Sequence, residues 1–362
     1  MPRPRNLTPR QRLESRVARF GDLLPPELLV RMSGKPPIHI DGQTLDPGTQ
    51  LWLSISERLD ETPFEELPLP EARHQTVTQS QVVGGRPIAV AGVDELMVDG
   101  GAGPLRARHY RCPDPGAPHP LLVFLHGGGF VLGDLDSHDA ICRLLCRAVG
   151  ADILSVDYRL APEHPFPEPV EDATAAVRWA LANAATLGAD PERVAVAGDS
   201  AGGNLATVAC WQLVRAGEPA PMLQVLFYPG TDDREFVSKK LFGEGFFLTR
   251  KQMDWFATTY LVDPANRDDD RFSIGRADDL TDMPPAIIVT GGFDPLRDEG
   301  ENYVRVLREA GNDVVHRRFP GLIHGFANAI GVSRASRDAV VETAGMARAM
   351  LTPAQVREPV EV

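Results

Sequence analysis

The amino-acid sequence predicts an α/β fold, in which a mostly parallel central sheet is flanked by helices and covered by a helical cap. Short apolar runs with strand character recur at 121–125 (LLVFL), 153–157, 194–197, 225–228, 286–290 (AIIVT) and 314–319, mostly separated by stretches of helical period. Such alternation builds a parallel sheet with helices on both faces. Several of these runs stop at loops that combine glycine with serine, aspartate or histidine, and in parallel sheets functional groups sit at those strand ends. A chain of 362 residues with 43% hydrophobic and 24% charged residues also has ample material for a core and the composition of an ordered protein. This length exceeds the roughly 150 residues of an ordinary domain, and one α/β body with an appended cap accounts for it.

Taken in chain order, residues 1–20 (MPRPRNLTPRQRLESRVARF) are basic but hold no apolar segment and no cleavage pattern, so no secretory signal is expected. Leu13, Val17 and Phe20 share one face of a predicted helix; a second helix, after Pro25 and Pro26, runs through Leu28, Leu29 and Met32 to Gly34. Glu14 and Asp22 interrupt the basic face, which favours packing on the protein body over lying on a membrane. Asp46 and Pro47 open a further helix through Leu51, Leu53 and Ile55, and the proline-rich acidic stretch 60–71 leads as a linker into another. Residues 1–92 are therefore assigned to an N-terminal helical extension or cap, and 93–362 to a catalytic domain. That domain opens with 95–100 and 104–112 paired as a hairpin about a glycine-rich turn. The segment 231–282 interrupts the alternation and carries Phe246, Phe247, Met253, Trp255, Phe256 and Tyr260. It is expected to form a second cap segment, with a minority of these side chains lining the substrate pocket.

The net charge of −13 argues against a general nucleic-acid binder. No apolar stretch approaches the ~18 residues of a membrane span. Cys142 and Cys146 are four apart, but nothing nearby completes a metal set; with Cys112 and Cys210 they are expected to be buried thiols of a reducing compartment. A soluble cytoplasmic protein is the expectation.

The chemistry gathers around residues 193–204 (RVAVAGDSAGGN). Gly198, Asp199, Ser200, Ala201 and Gly202 have the form G-x-S-x-G between a strand and a helix. The glycines relieve crowding in so sharp a turn and leave the Ser200 hydroxyl exposed above the sheet, while the amide of Ala201 points from a helix N-terminus toward any negative charge forming beside it. A serine hydroxyl needs a base and a third group that orients the base, in the chain order serine, acid, histidine. Two histidines follow Ser200. His316 lies within an alternating strand pattern; His324 follows a strand end between Gly321 and Gly325 and is the candidate base. Asp294, after the strand 286–290 and a glycine pair, is the candidate orienting acid, whereas Asp298 and Glu299 are read as favourable charge in the first turn of a helix.

Upstream, the strand 121–125 runs into His126-Gly127-Gly128-Gly129-Phe130, whose unobstructed backbone N–H groups suit an oxyanion hole. No Lys-Ser or Lys-Thr follows these glycines, which excludes a Walker phosphate loop. His126 precedes the serine and is expected to hold the glycine loop by hydrogen bonds. Glu163 and His164, within DYRLAPEHPFP (157–167), have the wrong order for the same reason and are expected to brace a segment stiffened by Pro162, Pro165 and Pro167.

HGGGF at 126–130, DYRLAPEHPFP at 157–167, GDSAGG at 198–203, DPLRDEG at 294–300 and HGF at 324–326 together resemble the hormone-sensitive-lipase-like family of α/β-hydrolases, from about Leu96 to the C-terminus. The resemblance implies the α/β-hydrolase fold and a carboxylesterase acting on short- to medium-chain esters without metal or other cofactor. It implies Ser200 as nucleophile, Asp294 as acid and His324 as base, with the amides of Gly128, Gly129 and Ala201 as oxyanion donors. It also implies a homodimer formed through the last strand, while the N-terminal region is longer than the family's usual cap. The alternatives within the fold are a long-chain lipase or an amidase. The alternative outside enzymes is a small-molecule binding protein, which this fold becomes when the base is lost; His324 speaks against that.

Overall fold

The computed structural model describes residues 24–59, 62–114 and 118–352, and the predicted helix bearing Leu13, Val17 and Phe20 lies outside them. Helix α1 (Pro26–Ser33) starts on a proline, whose missing N–H costs nothing at a first position, and stops at Gly34 in the left-handed region (φ 74°). Next comes an element absent from the sequence reading, a small hairpin of β1 (His39–Ile40) and β2 (Gln43–Thr44). Its two turn residues, Asp41 and Gly42, both have positive φ (54° and 73°), as a two-residue hairpin turn requires and Asp-Gly supplies. Helix α2 (Pro47–Leu59), a short 3-10 turn (Phe64–Glu66) and α3 (Leu69–Val83) complete the N-terminal part.

The body is built on β3 (Gly92–Gly100), β4 (Gly103–Arg111), β5 (His119–Leu125), β6 (Asp152–Val156), β7 (Ala189–Asp199), β8 (Gln224–Phe227), β9 (Ala286–Phe293) and β10 (Val314–Ile323). They form one eight-stranded sheet in the order β10-β9-β8-β7-β5-β6-β4-β3, in which β4 runs antiparallel to both neighbours and the remaining pairs are parallel. The crossovers include α4 (Asp139–Leu145), α5 (Glu168–Asn183), α6 (Ala201–Arg215) and α9 (Arg297–Glu309); α7 (Val237–Phe242) and α8 (Arg250–Tyr260) lie in the segment between β8 and β9, and α10 (Arg334–Leu351) ends the described chain.

Strand β5 explains why its sequence is a continuous apolar run. Leu121, Val123 and Leu125 pack on the face covered by α5 and α6, and Leu122 and Phe124 on the face covered by α4 and α10. A strand buried on both faces has no polar side to show, and each such side chain contributes about 1.5–3 kcal/mol of burial.

The parallel strands all end at one rim, and two covers lie over it. One is N-terminal (α2, the 3-10 turn and α3); the other comes from the 231–282 segment, chiefly α8. They touch through Phe64, whose ring centroid is 5.8 Å from that of Trp255 and 5.4 Å from that of Phe256, through the exposed pair of Lys251 with Glu66, and through a part-buried hydrogen bond from Gln252 to Glu65. Arg73 of α3 ties the first cover to the body: it donates to the carbonyls of Val131 and Ala161 (3.0 Å each) and to both oxygens of Glu163 (2.9 and 2.7 Å). His164 pairs with Glu168 at 2.9 Å, so the 157–167 motif braces the structure as its sequence position implied. No described helix is long and apolar enough to cross a membrane.

Candidate active site

At the end of β7 the chain turns into α6 within one residue. Ser200 occupies that turn at φ 55°, ψ −119°, a conformation that costs a non-glycine residue about 1–3 kcal/mol and persists only where the surroundings fix it. Here its N–H donates to the carbonyl of Phe227 (2.9 Å) and its carbonyl accepts from Gly230 (3.3 Å). The flanking glycines are steric necessities. A Cβ at Gly198 would lie 2.2 Å from the carbonyl oxygen of Gly202, and one at Gly202 would lie 2.0 Å from that of Leu125.

The candidate acid and base arrive at the same rim from two adjacent parallel strands. Strand β9 ends at Phe293 and Asp294 follows, fully buried, with its Oδ1 accepting the Leu296 N–H at 2.7 Å. Strand β10 ends at Ile323 and His324 follows, with Gly325 (φ 75°) turning the chain away. The Nδ1 of His324 lies 2.9 Å from Asp294 Oδ2, and its Nε2 lies 2.9 Å from Ser200 Oγ. With the Nδ1 proton directed at the carboxylate, Nε2 carries the lone pair that accepts the serine hydroxyl. His316 stays away from this group, its Nε2 lying 3.1 Å from Thr290 Oγ1.

Asp298 and Glu299 do occupy the first turn of α9, but they do more than complement its dipole. Asp298 accepts the Ser238 N–H at 2.8 Å, while buried Glu299 accepts the Thr231 N–H at 2.9 Å and pairs with Lys239 at 2.8 Å. Burial raises the Glu299 pKa and Lys239 opposes that rise without cancelling it. These two carboxylates anchor the inserted cover to the body. Sequence spacing carried no sign of that role.

The glycine loop after β5 leaves no room for side chains. Gly128 and Gly129 have φ of 122° and 62°, and a Cβ would lie 2.2 Å from the Leu132 carbonyl oxygen in the first case and 2.1 Å from the Phe256 ring in the second. Gly128, Gly129, Ser200, Ala201 and His324 line one cavity of about 1220 Å³. Ala201 is the first residue of α6, so its amide belongs to the unsatisfied N-terminal set of that helix.

A buried hub beneath this loop was not read from the sequence. Asp199, the neighbour of Ser200, accepts the Gly127 N–H (2.8 Å) and the Asn328 side-chain amide (3.2 Å), and lies 3.1 Å from His138 Nε2 and 3.4 Å from the Tyr228 hydroxyl. Burial alone would raise its pKa; His138 and the Gly127 amide overcome that and hold the carboxyl below its usual value. A charged residue in the second position of the pentapeptide was the one available signal, and nothing singled out His138 or Asn328. His126 donates to the Gly127 carbonyl (2.9 Å) and stacks on Tyr158 (4.3 Å between centroids). Burial and then the neighbouring His138 push its pKa down to about 4, so it is neutral and serves the loop.

The outer cavity wall comes from both covers: Trp52 and Ile55 of α2, Phe64, residues of α3, and Phe247, Met253 and Phe256 of the insertion. Phe246 instead packs on Phe242 and Phe293, and Tyr260 stacks on Phe130 at 4.0 Å.

Residues 122–328 match the family model described as the α/β-hydrolase fold. The chain is 49% identical over 304 residues to the carboxylic ester hydrolase LipN of Mycobacterium tuberculosis, covering 80% of this chain and 79% of that one. It is 39% identical over 271 residues to an ethyl acetate hydrolase of Pseudomonas putida, covering 73% and 85%. Among solved structures, it resembles an ester hydrolase from the metagenome of Lake Arreo complexed with a derivative of bipyridine phosphonate, with a TM-score of 0.82, 40% identity, and coverage of 84% of this chain and 98% of that one.

Proposed function

The chain belongs to the α/β-hydrolase fold family, of the hormone-sensitive-lipase-like kind, and is a serine ester hydrolase; from that premise we propose that it cleaves short- and medium-chain carboxylic esters through an acyl-enzyme on Ser200. The observation that carries the assignment of roles is the imidazole of His324, hydrogen-bonded at 2.9 Å to Ser200 Oγ on one side and to Asp294 on the other. Ser200 Oγ attacks the ester carbonyl carbon as its proton passes to His324 Nε2, and Asp294 stabilises the imidazolium. The amides of Gly128, Gly129 and Ala201 receive the oxyanion. Collapse of the tetrahedral intermediate breaks the bond to the alcohol oxygen, which takes the proton from Nε2. Water then gives a proton to Nε2 and attacks the acyl carbon; the second collapse releases the acid and returns a proton to Ser200.

A cavity of about 1220 Å³ stands above the usual ~300–1,000 Å³ of small-molecule sites and gives room for a medium acyl chain beside the alcohol. Cytoplasmic residence is supported by four buried, unpaired cysteines, and a homodimer by the position of β10 at the sheet edge.

The test is covalent labelling with an aryl alkylphosphonate beside turnover of p-nitrophenyl butyrate. The wild-type protein is expected to take one adduct, on Ser200, and to lose activity in step with it. Ser200→Ala is expected to fold normally, take no adduct and show no turnover. An unlabelled wild-type protein would leave the binding-protein reading, and activity retained in Ser200→Ala would exclude this mechanism.

A further inference from the structure

The hairpin β1–β2 lies on the body where β9 and β10 end. These strands pair regularly up to Gly291 and Phe319, the register then shifts, and pairing resumes only at Phe293 and Ile323, the residues immediately before Asp294 and His324. A bulge of this kind re-aims the side chain that follows it and leaves backbone groups without a ladder partner. The hairpin segment takes up those groups. Asp46 N–H donates to the Gly321 carbonyl at 2.9 Å, and Gln43 Nε2 donates to the Gly292 carbonyl at 3.3 Å. The Gly292 carbonyl also accepts from Arg297 Nη1 (3.2 Å), and Arg297 Nη2 pairs with Asp41 of the hairpin turn at 2.8 Å.

The approach is close at both places. A Cβ at Gly292 would lie 2.5 Å from Gln43 Oε1, and one at Gly321 would lie 3.1 Å from Asp46 N. Between them Leu45, 1% exposed, packs in a cluster with Phe242, Phe246, Phe293 and Ile323. The two residues that precede the acid and the base thus share one apolar plug supplied from the N-terminal segment.

We propose that the segment 39–46 is a positioning element for the Asp294–His324 pair, with Gln43, Leu45 and the Asp41–Arg297 pair as its working contacts. It holds the bulged end of β10 against the end of β9, so the 2.9 Å contact between imidazole and carboxylate is set before substrate arrives. This rests on Asp294 and His324 being the acid and base proposed above. None of these N-terminal side chains touches the reacting atoms: Gln43, and Asp41 through Arg297, act on the Gly292 carbonyl, and Leu45 acts through Phe293 and Ile323.

The double variant Asp41→Ala/Gln43→Ala removes the side-chain part of the polar grip and keeps the Asp46 N–H bond and the apolar plug. Its kcat on p-nitrophenyl butyrate is expected to fall about tenfold with KM unchanged, below the ~10²-fold that a 1 Å misplacement of a catalytic group costs. The downfield proton resonance of the His324 Nδ1–H, a signature of its bond to Asp294, should broaden or vanish. Leu45→Ala should lower kcat further, and Leu45→Met should restore most of it; if Leu45→Ala fails to fold, the double variant decides. Wild-type kcat with the resonance intact would overturn the inference, as would a raised KM at unchanged kcat, which would make the segment part of the cover only. Ser200→Ala, run alongside, separates the two failures: turnover retained there sinks the catalytic reading itself, whereas an inactive Ser200→Ala beside unaffected hairpin variants sinks only this inference.

Discussion

The rim that carries Ser200, Asp294 and His324 and the cover above it are built on different principles. At the rim, backbone meets backbone: glycines at 128, 198 and 202 sit where a Cβ would lie about 2.0–2.2 Å from a carbonyl oxygen, and Ser200 is held in a strained conformation by bonds to Phe227 and Gly230. In the cover, long side chains meet one another, through rings at 5.4–5.8 Å and an exposed ion pair. The first arrangement tolerates no substitution because nothing in it can move aside. The second can be repacked; under the proposed reaction, the rim is expected to fix the chemistry and the cover to set which ester enters.

The sharpest way to break this contrast is Gly129→Ala, placed where rim and cover meet. The new methyl group would need φ 62° and would strike the Phe256 ring at 2.1 Å. We expect kcat/KM on p-nitrophenyl butyrate to drop ~10²–10³-fold, the range for losing an oxyanion donor. Adding Phe256→Ala should recover only the steric share, and near-normal activity in the single variant would show that the rim bends. An intermediate effect is expected from Phe247→Ala and Phe256→Ala alone: the ratio of kcat/KM for octanoate over acetate esters should rise about tenfold, within the ~10–200-fold that one methylene's worth of pocket commands. An unchanged ratio across an ester series would remove the cover from specificity.

The smallest effect concerns stability just outside the rim. Burial pushes the Asp157 pKa up to about 6 from an ordinary 3.8, against the pull of Arg106. The folded protein therefore holds this proton more tightly than the unfolded chain, and stability is lost as pH rises from about 4 to 6. Asp157→Asn should melt a few degrees above wild type at pH 8, with the difference closing near pH 4; equal melting curves at both pH values would contradict it.

What could be read in advance follows the same division. The strands and the serine turn are local patterns, because a buried parallel strand must be apolar on both faces and a one-residue turn must be flanked by glycine. Asp199 was visible only as an unspecified position, since its partners Gly127, His138 and Asn328 come from three other places in the chain. The hairpin at 39–44 did carry a local sign, Asp-Gly between short alternating runs, but two-residue strands are too brief for periodicity to register. Glu299 looked like helix-end charge, and its partner Lys239 lies sixty residues away across an insertion whose path no pattern disclosed.

The seam between the two covers joins apolar rings to one exposed ion pair. Lys251 and Glu66 face each other there with more than half of the lysine side chain in water, so their attraction is of the sort that dissolved ions weaken within a Debye length of about 10 Å at 0.1 M. Added salt is therefore expected to loosen this one contact between the covers, and to leave the Phe64 ring contacts and the close-packed glycines of the rim as they are.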